Sequence, residues 1–106
     1  MKGQVIFTTK RQEDNLLRKI QAGNEKEADE AWLKLFKILH PLLYAVASFY
    51  LEQGLSEKEL YALGRKGLKI ATLKYHGYDD EYKFSTYATW FIREEIHKKL
   101  GIKTEK

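Results

Sequence analysis

The sequence has no cysteine. That excludes a disulfide scaffold, a thiol nucleophile and a thiolate metal site, and it fits a reducing compartment. There is one proline, and there are seven glycines in 106 residues, so few positions interrupt long helices. No stretch approaches the run of about 18 apolar residues that a membrane-spanning helix needs. The opening residues lack a signal-peptide pattern. The expectation is a cytoplasmic protein without a membrane partner. No nucleophile, base and orienting group converge, so an enzyme is not expected. No cofactor or metal motif is present either. The acidic run Asp79-Asp80-Glu81 lacks the alternating oxygen ligands and terminal glutamate of a Ca²⁺ loop.

What is present is helical patterning throughout. Apolar residues make up 43% and charged residues 32%, a globular balance rather than a disordered one. The net charge of +4 permits an anionic partner without demanding one. The length suits a single domain, residues 1–106, with one core. Val5-Ile6-Phe7 is too short to stand alone and is read as a lead. A first helix is expected from about Gln12 to Ala22 on the stripe Leu16, Leu17 and Ile20, stopped by Gly23. Asn24 caps a second helix, Glu25 to Leu39, with Ala28, Trp32, Leu35, Phe36 and Leu39 inward. Pro41 predicts a break near His40 and a third helix from Pro41 to about Glu52. In it Leu42, Leu43, Val46, Phe49 and Tyr50 would be largely buried. His40 has no partner base, nucleophile or metal ligand nearby and reads as a capping or surface residue. Ser56-Glu57-Lys58-Glu59 is a capping-box pattern opening a fourth helix to about Tyr75. Two inward rows fit it: Leu60, Leu63, Gly67, Ile70, and Leu60, Gly64, Leu68, Ala71, Tyr75. Gly64 and Gly67 weaken a helix unless another backbone comes close. The resulting fold class is all-α, a compact bundle of about five helices.

The last helix lies in Tyr82–Leu100, YKFSTYATWFIREEIHKKL. Phe84, Tyr87, Ala88, Phe91, Ile92, Glu95 and Ile96 share one helical face. Trp90, Arg93 and His97 share another. A core needs one face only. Trp90 is therefore covered by a further element, or it belongs to a stacking platform on which unpaired bases lie while cations track the phosphates.

The run YKFSTYATWFIR resembles the promoter-melting segment of the sigma-70 family, the initiation factors of bacterial RNA polymerase. LLRKIQAGNEKEAD at Leu16–Asp29 is similar to the opening of smaller family members. Tyr50, Gly54, Leu55, Glu59, Leu60, Gly64, Gly67 and Leu68 match or approximate the family's second conserved region. The resemblance covers residues 16–100 and corresponds to region 2 alone, without the domain that reads the −35 element. It implies transcription initiation: binding of core RNA polymerase and of the melted −10 promoter element. Tyr82, Phe84, Tyr87, Trp90 and Phe91 would be the melting aromatics. Lys83 and Arg93 would meet phosphate, and Glu94 and His97 would lie along the DNA. Glu59, Leu60, Ala62, Leu63, Arg65 and Lys66 would face the clamp helices of the polymerase largest subunit.

Three departures stand out. The family's usual Gln-Glu at 62 and 63 is Ala62-Leu63, followed by Arg65 and Lys66, which removes polar contact and adds charge. Glu94 replaces a frequent glutamine, and with Glu95 it opposes phosphate. The acidic run at 79–81 replaces a turn that is basic in many relatives. The partners implied are core polymerase and single-stranded promoter DNA, with a separate region-4 subunit or an anti-sigma factor as further candidates. The alternative is a sigma-like interaction or regulatory module that has lost polymerase docking.

Overall fold

A computed structural model describes residues 8–79 and 81–102, so Val5-Ile6-Phe7 and Asp80 lie outside the described residues. Within them are four helices and no strand: α1 Lys10–Ala22, α2 Glu25–Ser48, α3 Glu57–Lys74 and α4 Phe84–Leu100. The first three open on capping boxes, Thr9 with Gln12, Asn24 with Glu27 and Ser56 with Glu59. Each pair satisfies two amide donors that a helix start leaves open. Gly101 closes α4 with φ of 78°, a left-handed conformation that glycine adopts without a Cβ penalty.

The bundle has one helix fewer than the sequence predicts. α2 runs through Pro41 without a break. The proline ring sits on the exposed side of the helix and forfeits one amide donor. Against that loss stands one unbroken buried stripe: Ala31, Trp32, Leu35, Leu39, Leu43, Val46 and Ala47. The helical phase passes through the proline unchanged, so breaking there would misalign half the stripe. Burial of each leucine or larger side chain contributes about 1.5–3 kcal/mol, and the stripe outweighs one hydrogen bond. Phe49 corrects a second expectation. It follows the end of α2 and is 83% exposed.

The core joins all four helices around Leu17, Leu35, Leu43, Leu60, Leu68, Phe84, Ile92 and Ile96. Of the two inward rows proposed for α3, Leu60, Gly64, Leu68, Ala71 and Tyr75 is fully buried, while Leu63 and Ile70 are half-buried. Gly67 explains its own presence. A Cβ there would stand 2.8 Å from the Ile92 Cα and would run into the Phe91 carbonyl oxygen. α3 and α4 therefore cross backbone to backbone at this point, and the crossing sets how α4 presents its outer face.

Candidate nucleic-acid interface

α4 has no cap of its own, because Lys83 at the N-cap offers no side-chain acceptor. α1 supplies it. The Ser85 amide donates to Glu13 Oε1 at 3.2 Å, across the bundle. Glu13 is 1% exposed and also accepts from the Thr8 hydroxyl at 2.6 Å. A carboxylate at the positive end of a helix is favourably placed. Lys83 Nζ lies 3.9 Å from the same carboxylate and donates to the Thr8 carbonyl. The lysine expected at phosphate is thus occupied in seating α4.

Beside this seat four rings follow one another along the surface. Tyr82, 41% exposed, lies nearly parallel to Tyr87, with centroids 6.4 Å apart and 24° between planes. Tyr87 packs on Phe91 at 4.9 Å, and Phe91 meets Trp90 edge-on at 5.0 Å and 88°. Tyr87, Trp90 and Phe91 are each half-buried, so each keeps part of its surface in water. Trp90 is neither sealed in the core, as Trp32 is, nor isolated from other rings. Phe84 departs from its expected place among the melting aromatics. It is fully buried, because it begins the inward stripe Phe84, Ala88, Ile92 and Ile96.

Behind the ridge stands Tyr75, a residue the sequence reading treated only as core. Its ring touches Tyr78, Tyr82, Phe84 and Tyr87 at centroid distances of 5.1, 6.5, 5.3 and 5.4 Å. Its hydroxyl donates to the Gly77 carbonyl at 3.0 Å and stands 3.3 Å from Asp14 Oδ1. Lys10 Nζ ties the same turn to α1, reaching Asp14 at 2.7 Å and the carbonyls of Gly77 and Tyr78 at 3.1 and 3.2 Å. No local spacing in the sequence links Lys10 or Glu13 to residues more than sixty positions away. Burial pushes the Tyr75, Tyr78 and Tyr87 hydroxyls above the usual tyrosine value. At neutral pH these three hydroxyls therefore keep their protons.

The second face of α4 is divided. Arg93 is exposed. His97 faces the end of α2, its Nε2 2.8 Å from the Tyr50 hydroxyl. Glu94 is half-buried. Glu95 does not oppose an incoming strand as expected, because it is 6% exposed and paired with Lys98 at 3.3 Å and Lys66 at 3.6 Å.

The six α3 positions expected at the polymerase also separate. Glu59, Ala62, Arg65 and Lys66 are exposed and Leu63 is half-buried. Leu60 belongs to the core at 1% exposure and has no surface to offer. Glu59 also accepts from the Ser56 amide at 2.9 Å. The Arg65 guanidinium lies over Phe36 at 5.3 Å, beside a cleft lined in part by His40, Tyr44, Tyr61 and Ala62. His40 sits edge-on between Phe36 and Tyr61, a surface position as expected.

Comparison with known proteins finds sigma factors among those similar in sequence to this chain. RNA polymerase sigma factor SigA of Listeria monocytogenes is 33% identical over 99 residues, which cover 93% of this chain. The chain carries a sigma-70 family domain. SigA of Nostoc is 41% identical over 60 residues, 57% of this chain, and SigA1 of Synechococcus elongatus is equally similar over the same span. The chain matches only 25% of the length of the Listeria sigma factor and 15% of each cyanobacterial one. No family model and no solved structure matches it. The described residues of this chain are all-α, in four helices.

Proposed function

We propose that this domain is the second conserved region of a sigma factor, and that it captures the melted −10 element of a promoter on the α4 ridge. The observation carrying the proposal is the unbroken run of partly exposed rings Tyr82, Tyr87, Phe91 and Trp90, seated on the buried Tyr75. Unpaired bases offer flat faces that stack on such rings, while in a duplex those faces are hidden. Extruding a base costs a few kcal/mol, and stacking plus a pocket offsets it. Arg93 supplies the exposed cation at the far end. Lys83 acts through α4, holding its N-terminus against Glu13. This work is binding and strand separation, with no covalent step for the chain to catalyse.

Docking to core RNA polymerase falls to the exposed α3 face, Glu59, Ala62, Leu63, Arg65 and Lys66, and the adjoining cleft. Much of the extra positive charge there is already engaged, Arg65 over Phe36 and Lys66 with Glu95. Within this reading, regions that read other promoter elements reside elsewhere, in further sequence or in a separate subunit. Electrophoretic separation of the chain with single-stranded and duplex −10-like oligonucleotides tests the proposal. The single strand is retained and the duplex is not; equal retention of both contradicts it.

A further inference from the structure

Resting on that reading, a second stacking point lies beyond the ridge. Phe49 is the most exposed of the large apolar side chains described, at 83%. It stands where α2 ends and the turn to α3 begins, and it rims a cleft of about 400 Å³. Val46 and Tyr50 line the cleft from the α2 side, and Gln53, Thr89 and Arg93 complete it. Thr89 and Arg93 come from α4, and Arg93 lies one turn from Trp90 on the same helical face, so the cleft adjoins the ridge.

The chemistry of the lining selects its occupant. Arg93 is the one charged group on it, and among the described residues it makes no ion pair. No carboxylate lines the cleft. A ring on the rim, an amide and a hydroxyl on the walls and an unpaired guanidinium suit a flat heterocycle carrying a phosphate. They suit an apolar protein segment poorly, since such a segment would bury the arginine without a counter-charge.

We infer that this cleft binds one further nucleotide of the strand held on the α4 ridge, with its base stacked on Phe49 and its phosphate at Arg93. Gln53 is placed to meet the base edge. Phe49 is then a determinant of how long a strand the domain engages. Its exposure also makes the test clean, because its removal leaves the core intact.

Anisotropy titrations of the full chain with two labelled single strands decide the matter. One strand is just long enough to cover the ridge, and the other extends it by a few nucleotides at each end. Phe49→Ala should weaken the longer strand about fivefold or more, the lower limit expected for a lost stacked base. It should leave the shorter strand unchanged, and Phe49→Tyr should retain the long-strand affinity. If Phe49→Ala leaves the longer strand unaffected while Tyr87→Ala still weakens the short one, the inference fails and the ridge reading stands. If the unaltered chain binds neither strand, both fail. If Phe49→Ala instead abolishes capture of core polymerase with DNA binding unchanged, the cleft is a protein contact and the inference is overturned.

Discussion

At the scale of single residues, Gly67 and Gly64 separate two uses of glycine. A methyl at Gly67 meets main chain, the Phe91 carbonyl and the Ile92 Cα, which cannot move without shifting α4. A methyl at Gly64 meets the side chains of Leu43 and Ile92 at 3.2–3.4 Å, which can yield. Gly67→Ala should therefore cost about 1–3 kcal/mol of stability, the usual range for overpacking. Gly64→Ala should be nearly neutral, because alanine regains about 1 kcal/mol of helix propensity. Chemical denaturation of both variants checks this, and equal costs would contradict the crossing described. The need for a close approach was legible from two glycines three apart in a helix. Which of the two touches backbone was not, because that depends on where α4 crosses.

At the scale of elements, α4 depends on α1 for its start. Glu13→Ala removes the acceptor for the Ser85 amide and the partner of Lys83. A buried donor left unsatisfied costs about 1–3 kcal/mol, and this one is partly buried, so the loss should lie in the lower part of that range and the melting temperature should fall accordingly. Glu13→Gln keeps an acceptor oxygen and should recover part of the loss; no recovery would mean that charge rather than capping seats the helix. The turn between α3 and α4 predicts a pH dependence. The Asp14 hydrogen bond, foremost, raises Lys10, while burial raises Tyr75, Tyr78 and Tyr87. Each group holds its proton more tightly folded than unfolded. Their contribution is full below the ordinary values of 10.0 for tyrosine and 10.5 for lysine, and it is lost as pH rises through the raised folded values. Thermal melts between neutral pH and about 11 should show stability falling above pH 10, with a shallower fall in Tyr75→Phe. A flat profile across that range would contradict the network.

Element boundaries were legible where a cap marked them, at Asn24 and Ser56. The break at Pro41 was misread because the local cost of proline outweighed the wider signal. The sequence Leu35, Leu39, Leu43, Val46 keeps one helical phase across it. The seat of α4 was not legible at all. Thr9 opens a capping box of its own, but Glu13 finds its partner 72 residues away. The ridge aromatics were legible as a cluster, while the inward turn of Phe84 becomes clear only once the stripe Phe84, Ala88, Ile92 is seen to be the buried one.

At the scale of the whole molecule, the domain presents two surfaces, the α3 face and the α4 ridge. They lie on two helices that meet backbone to backbone at Gly67. The α3 surface predicts the outcome of a docking experiment. Ala62 is exposed, so Ala62→Gln restores a polar group without disturbing the core. It should tighten co-elution with core RNA polymerase severalfold, about 1 kcal/mol for one added hydrogen bond. Weaker co-elution would move the docking surface elsewhere.

The central claim is that the rings of α4 grip unstacked bases. Fluorescence titration of the chain with a −10-like single strand and its duplex, at two salt concentrations, tests it most directly. The single strand should bind more tightly, and the salt dependence should be shallow, because Arg93 is the exposed cation of the face and Lys83 is engaged with Glu13. Tyr87→Ala and Trp90→Ala should each cost about 1–3 kcal/mol of single-strand affinity. Equal affinity for both forms of DNA, or binding unchanged after loss of both rings, would mean that the ridge only covers the core and that promoter melting does not reside on this helix.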